Sequence, residues 1–387
     1  MSYADIIKKA QKEWDCPYLM NAATRVKGKR IPFTSPHMNW FTYGGIPRDT
    51  IAEFYGPEGS GKTTTAIDVA KNAVEIFKKD YQEELAELQD KLSKGDKHAQ
   101  DDIDELMERG PKKVLYIDVE NAFDITWGST LGLVFSDDFN TIDIMQPPTI
   151  VAEKLLEVVR KLIETGELGL VIIDSVPALT PDAVLKKDVG ERTVAALAGL
   201  MTNFMVIVNP MLKRYHCTMI LINQLRDNLV NAYVPNTPGG RAVKFFSSLR
   251  LQFRKGKFLD YLGNELPNNT DSPAGCMIEA TLIKMKTAPN DRRLGSYYLM
   301  TQSGIRADFD YADLAINTYS LIRKTGGWYT IVSPKTGEVL QTPEGKDVKV
   351  NGLANVYNFL ASNKEYYEEL KEYIQADIGG ETNVKAD

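Results

Sequence analysis

The octapeptide GPEGSGKT, Gly56 to Thr63, decides the fold of this 387-residue chain. It matches the spacing G-x-x-x-x-G-K-T, follows the apolar run IAEFY, and opens the helical pattern KTTTAIDVAKNAVEIF. A glycine-rich turn between a strand and a helix points backbone N–H groups and the helix N-terminus at phosphate oxygens. The sequence therefore predicts a phosphate-binding loop (P-loop) that joins a buried strand to a helix.

Each position of this loop has an expected role in binding ATP and Mg²⁺. The Lys62 ammonium is expected to reach the β- and γ-phosphates, and the Thr63 hydroxyl to ligate the metal. The predicted nucleotide-binding residues are Gly56, Pro57, Glu58, Gly59, Ser60, Gly61, Lys62, Thr63 and Thr64.

The order of strands and helices along the chain indicates an α/β fold. Five apolar runs (IAEFYG, VLYIDVE, TIDIMQP, LGLVIIDS and CTMILINQ) are separated by longer segments, several of them with helical periodicity. Such alternation is typical of βαβ units, which build a mainly parallel sheet with helices on both faces. Three further runs, SLRLQFRK, MIEATLIKMK and SYYLMTQ, follow one another and predict antiparallel strands at one edge.

Two carboxylates end strands of this predicted sheet. Asp174 follows the apolar run of LGLVIIDS, where a P-loop protein needs an acidic residue for its Mg²⁺ shell. An Asp at a strand end can instead be a helix N-cap. Glu120 ends VLYIDVE and is placed to orient an attacking water, although the spacing alone does not decide this role.

Composition limits the class of protein. Hydrophobic residues make up 43% and charged residues 25% of the chain, which is ordinary for a soluble protein. The three cysteines (Cys16, Cys217 and Cys276) and the three histidines are scattered, so neither a disulfide framework nor a histidine-based metal site is expected. These features predict a cytoplasmic protein with reduced thiols and no membrane attachment.

The formal net charge of −6 hides a strong polarity. Residues 78–108 hold 11 acidic and 5 basic residues, whereas residues 225–260 hold 7 basic and 2 acidic ones. The basic region overlaps a stretch of roughly 15 residues, rich in Asn, Pro and Gly, that follows CTMILINQ; loops of that length are usually functional or disordered. A nucleic-acid partner at this basic region is consistent with the pattern.

Three regions are expected outside the ATPase core of residues 36–307. Residues 1–35 predict a helix and a linker, and residues 308–387 predict a small α+β domain with a frayed tail. Residues 78–112 predict an acidic helical hairpin, inserted into the core and carrying Leu85, Leu88, Leu92, Ile103, Leu106 and Met107. This hairpin is either a solvated decoration or a surface that repels misplaced duplex or binds a basic partner.

The ordered motifs resemble the RecA recombinase family. The blocks GGIPRDTIAEFYGPEGSGKTT, VLYIDVENAFD, LGLVIIDSVPALTP, TMILINQLR, TPGGRAVKFFSSLRLQFRK and IKMKTAPN occur in family order over roughly residues 44–305. The preceding RIPFTSPHMNWFTYGG is more similar to the phage-encoded, UvsX-like branch. The resemblance implies a RecA-type P-loop core, and it implies that the N-terminal helix and linker of residues 1–35 dock on an adjacent subunit.

It also implies roles around the nucleotide. Glu120 falls on the catalytic carboxylate, and Gln224 on the residue that senses the γ-phosphate. Asp124 matches a residue that contacts adenine, and Trp127 lies where an aromatic ring stacks on the base. Two lysines, Lys284 and Lys286, match the pair that reaches the ATP of the neighbouring subunit; the plainer alternative is an exposed lysine face.

The resemblance places two DNA-binding loops. The first lies around residues 187–194 and includes Lys187, Arg192 and Val194. The helix after it, AALAGLMTNFMVIV, lacks the arginines that the family has there. This helix is apolar all round, which predicts burial against the core or a neighbour. The second loop runs from Arg226 to Gly240. Its expected DNA-binding residues, with those just beyond it, are Arg226, Tyr233, Gly239, Gly240, Arg241 and Lys244.

The activity implied is that of an ATP-dependent recombinase. It would form a filament on single-stranded DNA, pair that strand with a homologous duplex and exchange strands, with DNA-stimulated ATP hydrolysis at protomer interfaces. A loader or a single-strand-binding protein is a further expected partner. Two alternatives stay open: a hexameric helicase on the same core, and a recombination mediator that turns ATP over slowly.

Overall fold

The computed structural model describes residues 5–6, 9, 28–134, 142–147, 151–186, 195–225 and 237–379. Its strands are β1 Arg30–Ile31, β2 Ile46–Pro47, β3 Ile51–Gly56, β4 Lys113–Asp118, β5 Ile142–Met145, β6 Leu168–Asp174, β7 Thr218–Gln224, β8 Leu249–Leu259, β9 Glu265–Leu266, β10 Gly275–Met285, β11 Leu294–Met300, β12 Gly304–Ile305, β13 Ile322–Thr325, β14 Trp328–Ile331 and β15 Lys349–Asn351. Its helices are α1 Pro36–Phe41, α2 Lys62–Ser93, α3 Ala99–Arg109, α4 Ile125–Thr130, α5 Ala152–Glu164, α6 Asp182–Leu185, α7 Ala196–Arg214, α8 Gly240–Phe246, α9 Ala307–Asn317, α10 Leu353–Ser362 and α11 Lys364–Gly379.

A large mixed sheet is the centre of the fold. Its strand order is β12-β11-β10-β8-β3-β7-β6-β4-β5, with β9 paired to β8. The strands from β8 to β5 are parallel, and those from β10 outward are antiparallel. The predicted α/β class, with a mainly parallel sheet and antiparallel edge strands, is confirmed.

One detail of this prediction is wrong. The strand read from SLRLQFRK, β8, pairs in parallel with β3 and antiparallel with β10. The antiparallel edge therefore begins one strand later than expected. The chain between β7 and β8, residues 225–248, is long enough to return across the sheet and includes α8, so the two strands run in the same direction.

Helices cover both faces of the sheet, because alternate strand residues point to opposite sides. Tyr116 of β4 and Ile172 of β6 pack on the side of α2, whereas Ile117 and Ile173 pack on the side of α5 and α7. The carboxyl ends of the parallel strands meet at one edge, where the P-loop enters α2. This edge holds the candidate site.

Helix α7 packs against the core, which is one of the two placements that its apolar sequence predicts. By length and composition alone it could cross a membrane. It packs on the sheet through Met205, Val208 and Leu212, while Val206 and Ile207 on the opposite face are 56% and 49% exposed. It is therefore a core-packing helix of this fold, buried on one side within the single chain.

The acidic hairpin is present, and its first arm is a direct continuation of the P-loop helix. Helix α2 has 32 residues and passes the amino-terminal edge of the sheet, where the Phe77 ring lies against Gly169. Helix α3 folds back on it, and Leu88, Ile103 and Leu106 form a small core of their own. Two of the predicted stripe residues, Leu92 and Met107, are exposed instead.

The C-terminal region is a small α+β unit. Strands β13, β14 and β15 form an antiparallel sheet. It packs with α9, α10 and α11 around a separate core that includes Ile331, Leu360 and Leu370. The exact division of the chain at residues 35/36 and 307/308 stays a prediction.

Candidate nucleotide site and nucleic-acid interface

The phosphate loop has the backbone geometry that its glycines allow. Gly59 and Gly61 have φ values of 67° and 88°, in the left-handed region that favours glycine. Gly61 is the N-cap of α2. A Cβ on Gly56 would lie 2.3 Å from the Phe253 carbonyl oxygen, so that position has no room for a side chain. Pro57 and Glu58 lie exposed at the rim of the loop.

The Lys62 ammonium lies inside the loop. Its Nζ donates to the carbonyl oxygens of Gly56 and Pro57, at 3.2 and 2.6 Å, and to the Ser60 Oγ at 3.4 Å. Burial lowers the pKa of Lys62, and the negative field of Asp174 and Glu120 opposes this effect. A cation held among loop carbonyls is placed to turn toward phosphate oxygens.

Asp174 lies beside the phosphate loop at the end of β6, which β7 separates from β3 in the sheet. Its Oδ2 accepts hydrogen bonds from the Thr63 hydroxyl and from the Tyr116 hydroxyl, each at 2.7 Å. The alternative role of Asp174 as a helix N-cap is excluded, because the N-cap of the following 3₁₀ turn, Val176–Ala178, is Ser175. The peptide bond between Asp174 and Ser175 is cis.

Burial raises the pKa of Asp174, while the two hydroxyl donors act to lower it. Hydrogen bonds to the charged form of a carboxyl favour that form. The pair of hydroxyls therefore offsets part of the desolvation that β6 imposes on this side chain.

Glu120 and Gln224 meet directly at the same edge. Gln224 Nε2 donates to Glu120 Oε1 at 3.3 Å, and the Ser175 hydroxyl donates to the same oxygen. The structure thus brings together two residues that lie 104 positions apart in the chain. Glu120 is exposed and is not locked into a buried ion pair.

The predicted base-binding residues lie at the start of α4. Asp124 is its N-cap and accepts from the backbone N–H groups of Thr126 and Trp127, at 2.7 and 3.2 Å. The Trp127 indole Nε1 donates to the Thr64 hydroxyl at 3.4 Å. The indole is therefore fixed beside the first turn of α2, next to the phosphate loop.

A cavity of about 210 Å³ lies over the phosphate loop. Its wall includes Lys255, Cys276, Ile278 and Leu299, none of which the sequence pattern indicated. A larger cleft of about 670 Å³ lies at the base of the hairpin, at the opposite edge of the sheet. The smaller cavity is the nucleotide candidate, because only it contains the phosphate loop.

Lys284, near the end of β10, and Lys286, just after it, converge on the end of α8. Lys284 Nζ donates to the carbonyl oxygens of Lys244 and Phe245, at 2.6 and 2.9 Å, and Lys286 Nζ donates to that of Phe245 at 3.0 Å. Burial and the adjacent Lys286 lower the pKa of Lys284 to about 8. These lysines are therefore not simply a solvated face, since they neutralise the carbonyl end of a helix.

Comparison with known proteins identifies the family. A model of the RecA N-terminal domain matches residues 98–305, more than half of the chain. The chain belongs to the RecA family. It is therefore a RecA-type DNA recombinase whose P-loop core is a DNA-dependent ATPase, as the resemblance implied. The phosphate loop precedes the matched range and is supported by its own geometry.

Curated relatives named Protein RecA match most of the chain. The protein from Bacillus pumilus is 30% identical over 346 residues, covering 89% of this chain and 82% of the relative. That from Clostridioides difficile is 29% identical over 335 residues, with coverages of 86% and 78%. That from Staphylococcus epidermidis is 27% identical over 380 residues, with coverages of 97% and 90%. The similarity to the UvsX-like branch stays a prediction.

This RecA-family chain has a built anchor where its predicted second DNA-binding loop ends. Asn223, the residue before Gln224, donates to the Pro238 carbonyl at 2.9 Å and to the fully buried Glu53 carboxylate at 3.0 Å. Glu53 also accepts from Arg250 Nε. Both ends of the loop are therefore tied to the end of β7.

The described DNA-binding candidates lie just beyond this anchor. Gly239 and Gly240 have positive φ values and begin α8. Arg241 is exposed and Lys244 is half-buried. The other candidates, Lys187, Arg192, Val194, Arg226 and Tyr233, lie outside the described residues.

The donor set of this RecA-type site fits Mg²⁺. Mg²⁺ prefers oxygen ligands and is usually held by one or two carboxylates together with phosphates and waters. The Thr63 hydroxyl and the Asp174 carboxylate, 2.7 Å apart beside the phosphate loop, are such a set. Within the described part of the chain, no group of three or more His, Cys, Asp or Glu residues offers an all-protein metal cage.

Besides the four residues of the cavity wall, sequence reasoning missed three residues that hydrogen-bond to predicted site residues. Tyr116, Ser175 and Asn223 each contact a predicted site residue. Ser175 and Asn223 are chain neighbours of Asp174 and Gln224, which was a usable signal. The signal for Tyr116 was weaker: it is a hydroxyl-bearing residue in an otherwise aliphatic run, VLYID.

Proposed function

We propose that this chain assembles as a filament on single-stranded DNA, with ATP and Mg²⁺ bound between neighbouring copies, and exchanges strands with a homologous duplex. The observation that carries this proposal is the Gln224–Glu120 hydrogen bond of 3.3 Å. It links the nucleotide side of the sheet to the strand that leads directly into the predicted DNA-binding loop.

In this proposal the protein groups at the phosphate loop bind and orient the nucleotide. Lys62 would pair with the β- and γ-phosphates, and Thr63 and Asp174 would hold the metal, Asp174 by way of a bound water. The metal supplies positive charge that stabilises phosphate oxygens. Glu120 accepts a hydrogen bond from the attacking water and orients it; Asp124 and Trp127 hold the adenine.

The coupling between ATP and DNA follows from the position of Gln224. A γ-phosphate that accepts a hydrogen bond from Gln224 competes with Glu120 for the same amide. The amide is at the end of β7, and the adjacent Asn223 holds the far end of the loop through Pro238. A shift of the end of β7 would therefore move both ends of the proposed DNA-binding loop. The loop would have one arrangement with ATP bound and another without it.

The lysine pair acts across the filament interface in this proposal. Lys284 and Lys286 leave the carbonyl end of α8 and bind the ATP of the adjacent copy. Since α8 follows the DNA-binding loop, this exchange of partners connects ATP in one protomer with the DNA contacts of the next. It also makes assembly depend on nucleotide.

DNA binding in this proposal depends on phosphate charge and base stacking. Arg241 and Lys244, with Lys187, Arg192 and Arg226, neutralise phosphates, and Tyr233 and Val194 contact bases. Binding of this kind weakens as salt rises, because counterions are released from DNA. The acidic hairpin of residues 78–108 keeps its two proposed roles, repulsion of misplaced duplex or binding of a basic partner.

The remaining assignments are also proposals. The chain is divided into residues 1–35, which dock on an adjacent copy, a core of residues 36–307, and a C-terminal domain of residues 308–387. We place the protein in the cytoplasm without membrane attachment, working with a loader or a single-strand-binding protein.

The test combines ATP hydrolysis, with and without single-stranded DNA, and negative-stain imaging with a non-hydrolysable ATP analogue. DNA-stimulated hydrolysis together with long helical filaments is the expected result. Glu120→Gln should lower hydrolysis about 100-fold or more but keep filaments, because it removes only the water-orienting carboxylate. Closed rings would favour a helicase, and slow, DNA-insensitive hydrolysis without polymers would favour a mediator.

A further inference from the structure

The Tyr116 hydroxyl is a feature of the site that the proposed mechanism does not yet use. Its oxygen lies 2.7 Å from Asp174 Oδ2. The side chain is 1% exposed, and its ring packs edge-on against Phe123 at 5.2 Å. A buried tyrosine with one polar contact is fixed in place, so this hydrogen bond has a defined direction.

The sheet register explains why this side chain reaches Asp174. Tyr116 pairs with Ile172 across β4 and β6, and Asp174 lies two residues further along β6 on the same face. Diagonal neighbours of this kind are too far apart for short side chains but are within reach of an aromatic one. The ring spans the diagonal, and the hydroxyl at its end meets the carboxylate.

The direction of proton donation is also defined. An ionised carboxylate only accepts hydrogen bonds, so the Tyr116 hydroxyl must donate. A tyrosine hydroxyl carries its proton at neutral pH, because its ordinary pKa is about 10. Thr63 donates to the same oxygen.

Two donors on one oxygen constrain the carboxylate. Among the described residues, no donor contacts Asp174 Oδ1, which remains available to a water of a metal shell. The Thr63 hydroxyl has one proton and two lone pairs, so it can ligate a metal and still donate to Oδ2. Among the described residues, the Tyr116 hydroxyl makes its hydrogen bond with Asp174 alone, so it has no such second task.

We infer that Tyr116 is a positioning residue that orients Asp174 for the metal which accompanies the nucleotide. This inference rests on the proposed Mg²⁺ site. Outer-shell groups of a metal site typically contribute 10- to 100-fold in metal affinity, and Tyr116 belongs to this shell through its hydrogen bond to Asp174. Removing the hydroxyl is therefore expected to raise the Mg²⁺ requirement by about 10- to 100-fold and to leave metal-free nucleotide binding unchanged.

The experiment uses full-length wild-type protein, Tyr116→Phe and the matched control Tyr297→Phe. Tyr297 is also 1% exposed, and its hydroxyl lies 2.9 Å from the Thr65 Oγ1, two residues beyond Thr63 on the same helix. Because Thr65 donates its proton to the Gly61 carbonyl, Tyr297 is the donor in this pair. The control thus removes a buried tyrosine hydroxyl that does not contact Asp174.

Binding of a fluorescent, non-hydrolysable ATP analogue is measured in EDTA and then across a titration of free Mg²⁺, with thermal unfolding of each protein recorded alone. Tyr116→Phe should bind like wild type in EDTA and need about 10- to 100-fold more Mg²⁺ for half-maximal tightening. Tyr297→Phe should follow the wild-type curve at both stages.

Three outcomes would overturn the inference. A Tyr116→Phe titration that overlays wild type would show that the hydroxyl does not orient Asp174. Loss of binding in EDTA as well would assign Tyr116 to packing of the loop. If Mg²⁺ does not change nucleotide binding by the wild-type protein, both the proposed metal site and the inference fail. This result differs from failure of the inference alone, in which wild type responds to Mg²⁺ and Tyr116→Phe responds equally.

Discussion

The buried ion pair of Glu53 and Arg250, next to Asn223, can be tested by replacing Glu53 with Met. Glu53 is fully buried, and the Arg250 side chain is only 11% exposed. The Arg250 guanidinium also lies 4.8 Å from the centre of the Tyr55 ring. Replacing Glu53 alone removes the countercharge and leaves a buried cation without its main partner.

The expected cost is large for a single substitution. Removing one partner of a buried ion pair costs about 3–5 kcal/mol, and the Asn223 amide loses one of its acceptors as well. For a domain of this size a loss of 1 kcal/mol lowers the melting temperature by about 2–4 °C. Glu53→Met should therefore lower it by roughly 6–20 °C.

Scanning calorimetry of the nucleotide-free protein measures this change, and the double variant Glu53→Met/Arg250→Met is the control. Replacing both charges with apolar side chains of similar volume is often neutral or stabilising. The double variant should thus recover most of the stability lost by the single one. A single variant within about 1 kcal/mol of wild type, or a double variant no more stable than the single one, would refute this account of the pair.

Two further predictions concern the lysine pair and the hairpin. Because the pKa of Lys284 is lowered to about 8, its charge is lost as the pH rises through that value. ATP-dependent assembly on DNA, followed by light scattering, should weaken from about pH 7 to pH 9 in wild type but not in Lys284→Arg, whose guanidinium stays charged. Lys284→Ala should fold and fail to assemble; identical pH curves for wild type and Lys284→Arg would contradict the role. Leu88→Ala should cost about 2–3 kcal/mol of hairpin packing and should speed proteolysis within residues 94–98 without changing ATP hydrolysis. The control Leu92→Ala, at a position 37% exposed, should be cut at the wild-type rate. Equal rates of cutting in the two variants would contradict a packed hairpin core.

The sequence predicts those parts of the site whose residues lie close together in the chain. The P-loop, the strand-end position of Asp174 and the common face of Lys284 and Lys286 follow from local spacing and strand geometry. Tyr116 could not be found in this way, because its contact with Asp174 depends on the register between two strands more than 50 residues apart. The register is set by packing over the whole sheet.

The direction of β8 was missed for a related reason. Its residues look the same in either orientation, and only the path of the chain between β7 and β8 decides how the strand enters the sheet. The continuity of α2 was missed because the polar residues that begin the hairpin resemble a helix end. Phe77 belongs to the core of the main sheet, and beyond it α2 packs instead on the small core of the hairpin. This second core stabilises the continuation of the helix.

The continuous helix α2 also makes the hairpin a natural place to enlarge this protein. Its residues beyond Phe77 leave the fold at the edge opposite the phosphate loop, and the arms bury their own apolar side chains. All residues of the turn at 94–98 are exposed. Exposed loop tips of this kind are the positions at which whole domains are inserted most successfully. A fluorescent or affinity domain inserted into this turn would be carried outside the ATPase core on a helical stem, at a distance from the phosphate loop.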